Sequence, residues 1–228
     1  MKFKSNIVTQ VSGSIGGLVG SHNQGGMYFR ARSVPTNPQT AFQVAVRNAV
    51  TLLATAWQDT LTAAQREAWD TYAANVPLID RLGEARNTTG IAHYVRSNVP
   101  RLQAGLARVD DGPTVFALPS FTEVTFAPAA ATDDFDVSFD NTDAWANEDD
   151  AALLLYASRP QSATINFFKG PYRYAGRIDG DGSTAPTSPE TIDSPFALTA
   201  DLKQFYKAVL TRADGRLSSP FRGSGVVT

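Results

Sequence analysis

Ala151-Ala152-Leu153-Leu154-Leu155-Tyr156 is an unbroken apolar run in a chain that is 43% hydrophobic overall, and its reading decides the fold. Too short for an ordinary helix, it suits a strand covered on both sides. The segments around it alternate instead. Val124-Thr125-Phe126 and Phe135-Asp136-Val137-Ser138-Phe139 set apolar side chains on one face at every second residue, the pattern of half-buried strands. Residues 172–178 form a further candidate strand. Residues 204–211 and 216–227 flank Ala213-Asp214-Gly215, whose Asp-Gly pair signals a hairpin. The proline-bounded stretch 186–195 reads as a loop. Short strands joined by turn-rich links predict an antiparallel β-sandwich over residues 113–228.

Toward the N-terminus the period changes at Gly112-Pro113, and a domain boundary is expected there. Asn37-Pro38 predicts a helix start, with Asn37 as the cap and Pro38 at the first helical position. Phe42, Val46, Ala49, Val50, Leu53 and Trp57 then recur at helical spacing, so this helix should span 38–58. Thr62-Ala63-Ala64-Gln65 is a capping box that opens a second helix with Trp69, Tyr72 and Ala73 inward and Pro77 at its limit. The short link between the two predicts an antiparallel hairpin. After a loop through Gly83 and Asn87, Thr88 or Thr89 caps a third helix, with Ile91, Tyr94, Val95 and Val99 facing in and Pro100 near a kink or an end.

Residues 1–36 read as an extended, glycine-rich arm. Ile7, Val8 and Val11 precede Ser12-Gly13-Ser14-Ile15-Gly16-Gly17-Leu18-Val19-Gly20, and Gly25-Gly26 precede Met27-Tyr28-Phe29-Arg30-Ala31-Arg32. So many glycines disfavour a helix and leave too few large side chains for a separate core. Leaving Met27, Tyr28 and Phe29 in water is costly, so the arm is expected to lie against another surface. The reading is therefore α+β: arm 1–36, helical domain 37–112, β-sandwich 113–228.

Composition narrows the function. Residues 1–112 carry eleven Lys/Arg against seven Asp/Glu, a net of +4; residues 113–228 carry nine against fifteen, a net of −6. The asymmetry suggests a modular chain and head-to-tail contacts between copies. A total of −2 argues against a dedicated nucleic-acid binder. Without cysteine there is no disulfide framework and no thiolate metal site. Met1-Lys2-Phe3-Lys4-Ser5 is followed by no long apolar stretch, so neither a signal peptide nor a membrane span is expected.

Few residues suggest chemistry. His22 and His93 lie far apart in sequence, and no Gly-x-Ser-x-Gly elbow, His-Glu-x-x-His or phosphate loop is present. Asp133, Asp134, Asp136, Asp149, Asp150 and the string Asp179-Gly180-Asp181-Gly182 lack the later ligands of a calcium loop and read as solvated turn carboxylates. Asn87-Thr88-Thr89 matches a glycosylation pattern and reads as the approach to a helix. No catalytic residue, metal ligand or cofactor site is expected. The candidate contact residues are Met27, Tyr28, Phe29, Arg30, Arg32 and Arg47, arginine being suited to paired bonds with carboxylates. Trp145, in the polar loop Asp143-Ala144-Trp145-Ala146-Asn147, is a candidate sugar-stacking or anchoring residue.

The string over 30–106 resembles a group of uncharacterised proteins of tailed phages and prophage-like gene sets. The residues that carry it are Arg30, Pro35, Thr36-Asn37-Pro38-Gln39-Thr40, Gln43, Arg47 and Trp57. They continue with Leu61-Thr62-Ala63-Ala64-Gln65-Arg66-Glu67-Ala68-Trp69, Tyr72-Ala73, Gly90 and residues 98–105. The resemblance implies a virion component and transfers no site residues. The C-terminal half looks like a fibronectin-III or immunoglobulin-like domain, with Tyr206 as a tyrosine-corner candidate. The expectation is a non-enzymatic structural protein of the virion, a capsid decoration or cement protein bound to the major capsid protein and to its own copies. The alternatives are a carbohydrate-binding adsorption module and a tail or neck component.

Overall fold

The computed structural model describes residues 12–23, 26–79 and 84–228. Ile7, Val8, Val11, Gly25 and Gly83 lie outside the described residues. The chain forms two compact units, Met1–Ala41 and Phe42–Thr228. The boundary expected at residue 112 falls inside the second unit.

In the first unit the arm is a β-meander: β1 (Gly13–Ile15), β2 (Leu18–Asn23) and β3 (Gly26–Ala31) pair antiparallel in that order. Ile15 faces Leu18 across a two-residue Gly16-Gly17 turn, and Gly16 takes φ +57, a conformation such turns require and glycine adopts without strain. The sheet leaves Ile15 79% and Leu18 51% exposed.

The second unit mixes three α-helices with antiparallel sheets. Helix α1 spans Ala41–Thr55 and ends in a π-helical turn, Ala56–Thr60, where the Leu61 amide donates to the Ala56 carbonyl at 2.9 Å. It starts three residues later than Asn37-Pro38 suggests, because Gln39 adopts a left-handed φ of +45 that helical continuation forbids. The capping box forms as expected before α2 (Ala63–Asn75): the Gln65 amide donates to Thr62 Oγ1 at 3.2 Å and the Thr62 amide to Gln65 Oε1 at 2.9 Å. A short ribbon, β4 (Leu78–Ile79) with β5 (Ala85–Arg86), leads to α3 (Gly90–Gln103), capped by Thr89. Gly90 allows α3 to start against α2, since a Cβ there would meet the Asp70 backbone nitrogen at 2.7 Å. The helix continues three residues past Pro100.

Seven strands follow. β6 (Thr125–Ala129), β7 (Asp134–Ser138) and β10 (Glu190–Asp193) form one sheet in the order β10-β7-β6. β8 (Ala152–Ala157), β9 (Arg173–Asp179), β11 (Lys203–Thr211) and β12 (Phe221–Val226) form another in the order β12-β11-β8-β9. One core joins the inner faces of both: Phe135 and Val137 of β7 with Leu153 and Leu155 of β8 and Tyr206 and Ala208 of β11. β8 is buried along its whole length, as the apolar run requires.

Three expectations change here. Glu190–Asp193 is a strand rather than loop; its alternation is short and polar, and it is held by backbone pairing to β7 while Ile192 packs inward. β12 begins at Phe221 rather than 216, because Arg216 turns back to Asp214 through its amide at 3.0 Å. Tyr206 is no tyrosine corner: its hydroxyl donates to the Gln204 side chain at 2.6 Å, and its ring stacks on Phe126 at 4.4 Å inside the core.

Helices and sheets are one unit because buried polar groups tie them together. Arg101, 1% exposed at the end of α3, donates from Nε to the Ala107 carbonyl at 2.9 Å. Its Nη1 donates to the carbonyls of Arg212 at 2.9 Å and Asp150 at 3.2 Å and to Thr211 Oγ1 at 3.0 Å. Arg96 donates to the carbonyls of Leu217 at 3.1 Å and Ser218 at 3.0 Å. Asn98 exchanges two bonds with the Val109 backbone, and Trp69 Nε1 donates to the Asp110 carbonyl at 3.0 Å. Residues 107–112 are thus part of the helical core, not a linker.

Candidate functional site

Helix α1 is built as a buried helix and is not buried. Ten of its fifteen residues are apolar and Arg47 is its sole charge, a composition ordinarily covered on all sides. Yet Leu53 is the one α1 residue the second unit buries, together with Ala56 just beyond. Phe42 stays 53% exposed, Val50 40% and Leu52 50%. The face expected to point inward is therefore fully covered only at its C-terminal end, where Leu53, Ala56 and half-buried Trp57 join Trp69, Tyr72 and Tyr94, while Val46 and Ala49 are half-buried. Trp57 and Trp69 each lie 5.6 Å from the Tyr94 ring, so both tryptophans serve the helical core.

The other contact candidates divide between the units. In the first, Met27, Tyr28 and Phe29 are half-buried and Arg30 and Arg32 exposed. In the second, Arg47 is exposed on α1. Trp145 is not a surface residue: it is 1% exposed, its ring lies 5.4 Å from Phe139, and its Nε1 donates to Asp143 Oδ2 at 3.3 Å. The polar residues around it in sequence are satisfied by turn hydrogen bonds and leave the indole free to enter the core. A sugar-stacking role for Trp145 therefore loses its basis.

Among the described residues no group of three or more His, Asp or Glu is placed to hold a metal ion. Asp149, Asp150, Asp179 and Asp181 instead rim an open depression of about 580 Å³, with Arg177 beside Asp179 at 2.8 Å. Asp149 Oδ1 accepts from the Gly182 amide at 2.8 Å, and Asp181 Oδ1 from the Ser183 amide at 2.7 Å, which hold the turn. The Ser183 hydroxyl first, then the Ser183 and Thr184 amides, keep the Asp181 carboxyl below the usual carboxylate range.

Tyr72 is buried as expected, whereas His93 was missed as a buried polar residue. Their rings meet edge to face at 5.3 Å, and neither ring nitrogen of His93 nor the Tyr72 hydroxyl has a hydrogen-bond partner. Burial lowers the His93 pKa and the Arg96 cation lowers it further; the Val76 backbone, outside hydrogen-bond geometry, acts the other way. The helical spacing of His93 and Ser97 with Tyr94 and Arg101 was a legible signal, masked by their polarity.

No protein-family model matches this chain, and no curated protein matches it. A family 76 glycoside hydrolase from a bovine Bacteroides thetaiotaomicron strain is similar in structure over 46% of this chain and 20% of its own, at 12% identity and a TM-score of 0.33. An Fn3-like protein from Clostridium thermocellum is similar over 48% of this chain and 92% of its own, at 12% identity and a TM-score of 0.30. The chain thus spans a fifth of the hydrolase, and likenesses this weak carry no functional conclusion.

Proposed function

We propose that this protein is a non-enzymatic structural component of a tailed phage particle, docking through its N-terminal residues and α1, with capsid decoration as the preferred role. One observation carries the docking role: an apolar helix whose first twelve residues are all left unburied. A helix of that composition is stable in water only at a cost, which a partner surface removes. The arm supports the same reading, with Ile15 and Leu18 exposed on a three-stranded sheet that has little core. The resemblance over 30–106 supplies the virion setting.

The C-terminal part reads as a fibronectin-III-type sandwich. The orders β10-β7-β6 and β9-β8-β11-β12 correspond to E-B-A and C′-C-F-G of that fold, and the shared core supports the match. Sandwich modules host many functions, so the fold supports only a projecting or bridging role.

The test is co-sedimentation of the purified chain with isolated phage heads and tails. Many copies bound to heads support decoration, and binding to tails moves the role to the tail or neck. Deletion of residues 1–36 should abolish binding while the second unit still unfolds cooperatively, and Phe42→Ser with Leu52→Ser should abolish it while circular dichroism stays native. Normal incorporation of both variants would sink the docking role.

A further inference from the structure

The outer face of the sheet β12-β11-β8-β9 breaks a rule of strand pairing. Its register sets one row across all four strands: Arg222 of β12, Lys207 of β11, Tyr156 of β8 and Tyr174 of β9. Two cations thus stand directly opposite each other, an arrangement that destabilises a sheet. Four residues along β11, Lys203 adds a third cation, 5.7 Å from the Phe205 ring. Among the described residues no ion pair joins any of the three to a carboxylate. Lys207 rests instead on the face of Tyr156, 3.8 Å from the ring centroid. Burial lowers its pKa and Arg222 lowers it further, so this face gives the ammonium little compensation. A cationic row of this kind, in a half-chain of net −6, is incomplete without an anion.

The complementary surface lies at the other end of the same strands. Ala152 pairs with Asp179 where Tyr156 pairs with Tyr174, so the acidic rim stands four residues away along β8. At the usual strand rise that is roughly 13 Å. The rim carries Asp149, Asp150, Asp179 and Asp181 against Arg177, a net of −3 from four carboxylates and one guanidinium. The row carries +3 from Lys203, Lys207 and Arg222. The two charges match in size and are opposite in sign, and within one copy they sit at opposite ends of the sheet.

We infer that the row Lys203, Lys207 and Arg222 is a docking surface for a second copy of this chain, and that it receives the carboxylates of that copy's Asp149–Asp181 rim. The contact is between sandwiches and requires nothing of the arm or α1, so it goes beyond the docking role above. The Tyr156 ring, buried beneath Lys207, and half-buried Tyr174 make the ground under this face apolar, so the ion pairs are partly shielded from water. The Lys207 ammonium, already half out of water, loses less solvation on binding than a free lysine would.

Sedimentation velocity of the full chain across a concentration series tests this. At about 0.01 M salt, where screening is weak, the average mass should rise with concentration above 24.5 kDa; at about 1 M it should return to the monomer. Arrest at the dimer means that both row-to-rim pairs close at once, and further growth means a chain of copies; either supports the contact. Arg222→Glu with Lys203→Glu, both on the open face, should abolish association, as should Asp149→Lys with Asp181→Lys. An equal mixture of these two double variants should associate again. A wild-type chain that stays monomeric at low salt overturns the inference, as does association indifferent to salt and to both double variants. Retention on immobilised heparin that Arg222→Glu with Lys203→Glu removes, in a chain that never self-associates, would assign the row to an anionic polymer instead. Normal particle binding by Phe42→Ser with Leu52→Ser, in a chain that still self-associates at low salt, would overturn only the docking role.

Discussion

Arg101→Met is the substitution that most directly tests whether helices and sheets form one cooperative unit. Methionine keeps much of the length of the arginine stem and fills the same space, but it donates nothing. The carbonyls of Ala107, Asp150 and Arg212 and the Thr211 hydroxyl each lose a charge-assisted donor. Each such bond is worth about 1.5–3 kcal/mol. Two effects reduce the sum. Asp150 is exposed and Arg212 half-buried, so water can reach their carbonyls. Removing a cation whose pKa burial has lowered also returns part of its desolvation cost. The net loss should be about 3–4 kcal/mol. With a urea m-value of about 2 kcal/mol per molar, the unfolding midpoint falls by roughly 1.5–2 M. The assay is urea unfolding followed at once by far-ultraviolet circular dichroism and tryptophan fluorescence, since Trp57 and Trp69 report on the helices and Trp145 on the sheets. In the wild type the two signals should coincide, and in the variant they should separate as the ties between the parts are lost. A loss below about 1 kcal/mol would mean that Arg101 is only accommodated there, not holding the parts together.

Thr62→Ala removes the capping box of α2 and should cost about 1 kcal/mol in the same assay; no change would mean that the helix start is held by tertiary contacts alone. Trp145→Ala should cost about 3–5 kcal/mol by opening a cavity in the sheet core, whereas a surface tryptophan would show little loss. His93 has a folded-state pKa below its ordinary 6.5, so the neutral ring's contribution is fully present above pH 6.5. It is lost as the pH falls from there through the lowered value, because only the unfolded chain takes up the proton readily. Thermal melts between pH 8 and about pH 5 should show this slope, and His93→Phe should flatten it; an equal slope in both proteins would clear His93 of the effect.

Much of the local structure could be read from residue order. The Thr62–Gln65 cap, the buried stripe Trp69–Tyr72–Ala73 and the β8 run depend on neighbours close in sequence, and each appears as expected. What failed depended on partners far away. The sequence around Trp145 is polar, and only the packed sheets show that the indole turns inward against Phe139. Glu190–Asp193 has no strand pattern strong enough to stand alone and is completed by the β7 backbone. The change of period at residue 112 was real but did not mark a domain edge, because Arg96, Arg101 and Asn98 look like surface residues until their distant carbonyls are known. The candidate contact surface was legible in part. Periodicity shows which face of α1 is apolar, and it cannot show that most of that face goes uncovered.

The Arg101 anchor also sets an order of events during synthesis. Its carbonyl partner on Arg212 lies 111 residues downstream, and the Leu217 carbonyl that Arg96 holds lies 121 downstream. At ~5–20 residues per second the ribosome needs roughly 5–25 s to supply them. Throughout that interval α3 is complete in sequence, but Arg96 lacks both of its acceptors and Arg101 has the Ala107 carbonyl without the Thr211 hydroxyl or the Arg212 carbonyl. The nascent helical segment therefore waits with Trp69 and Tyr94 incompletely enclosed, a natural client for chaperones that grip apolar nascent chain. Synonymous changes that slow translation between codons 112 and 212 should lengthen that wait and lower the soluble yield without altering a single residue of the product.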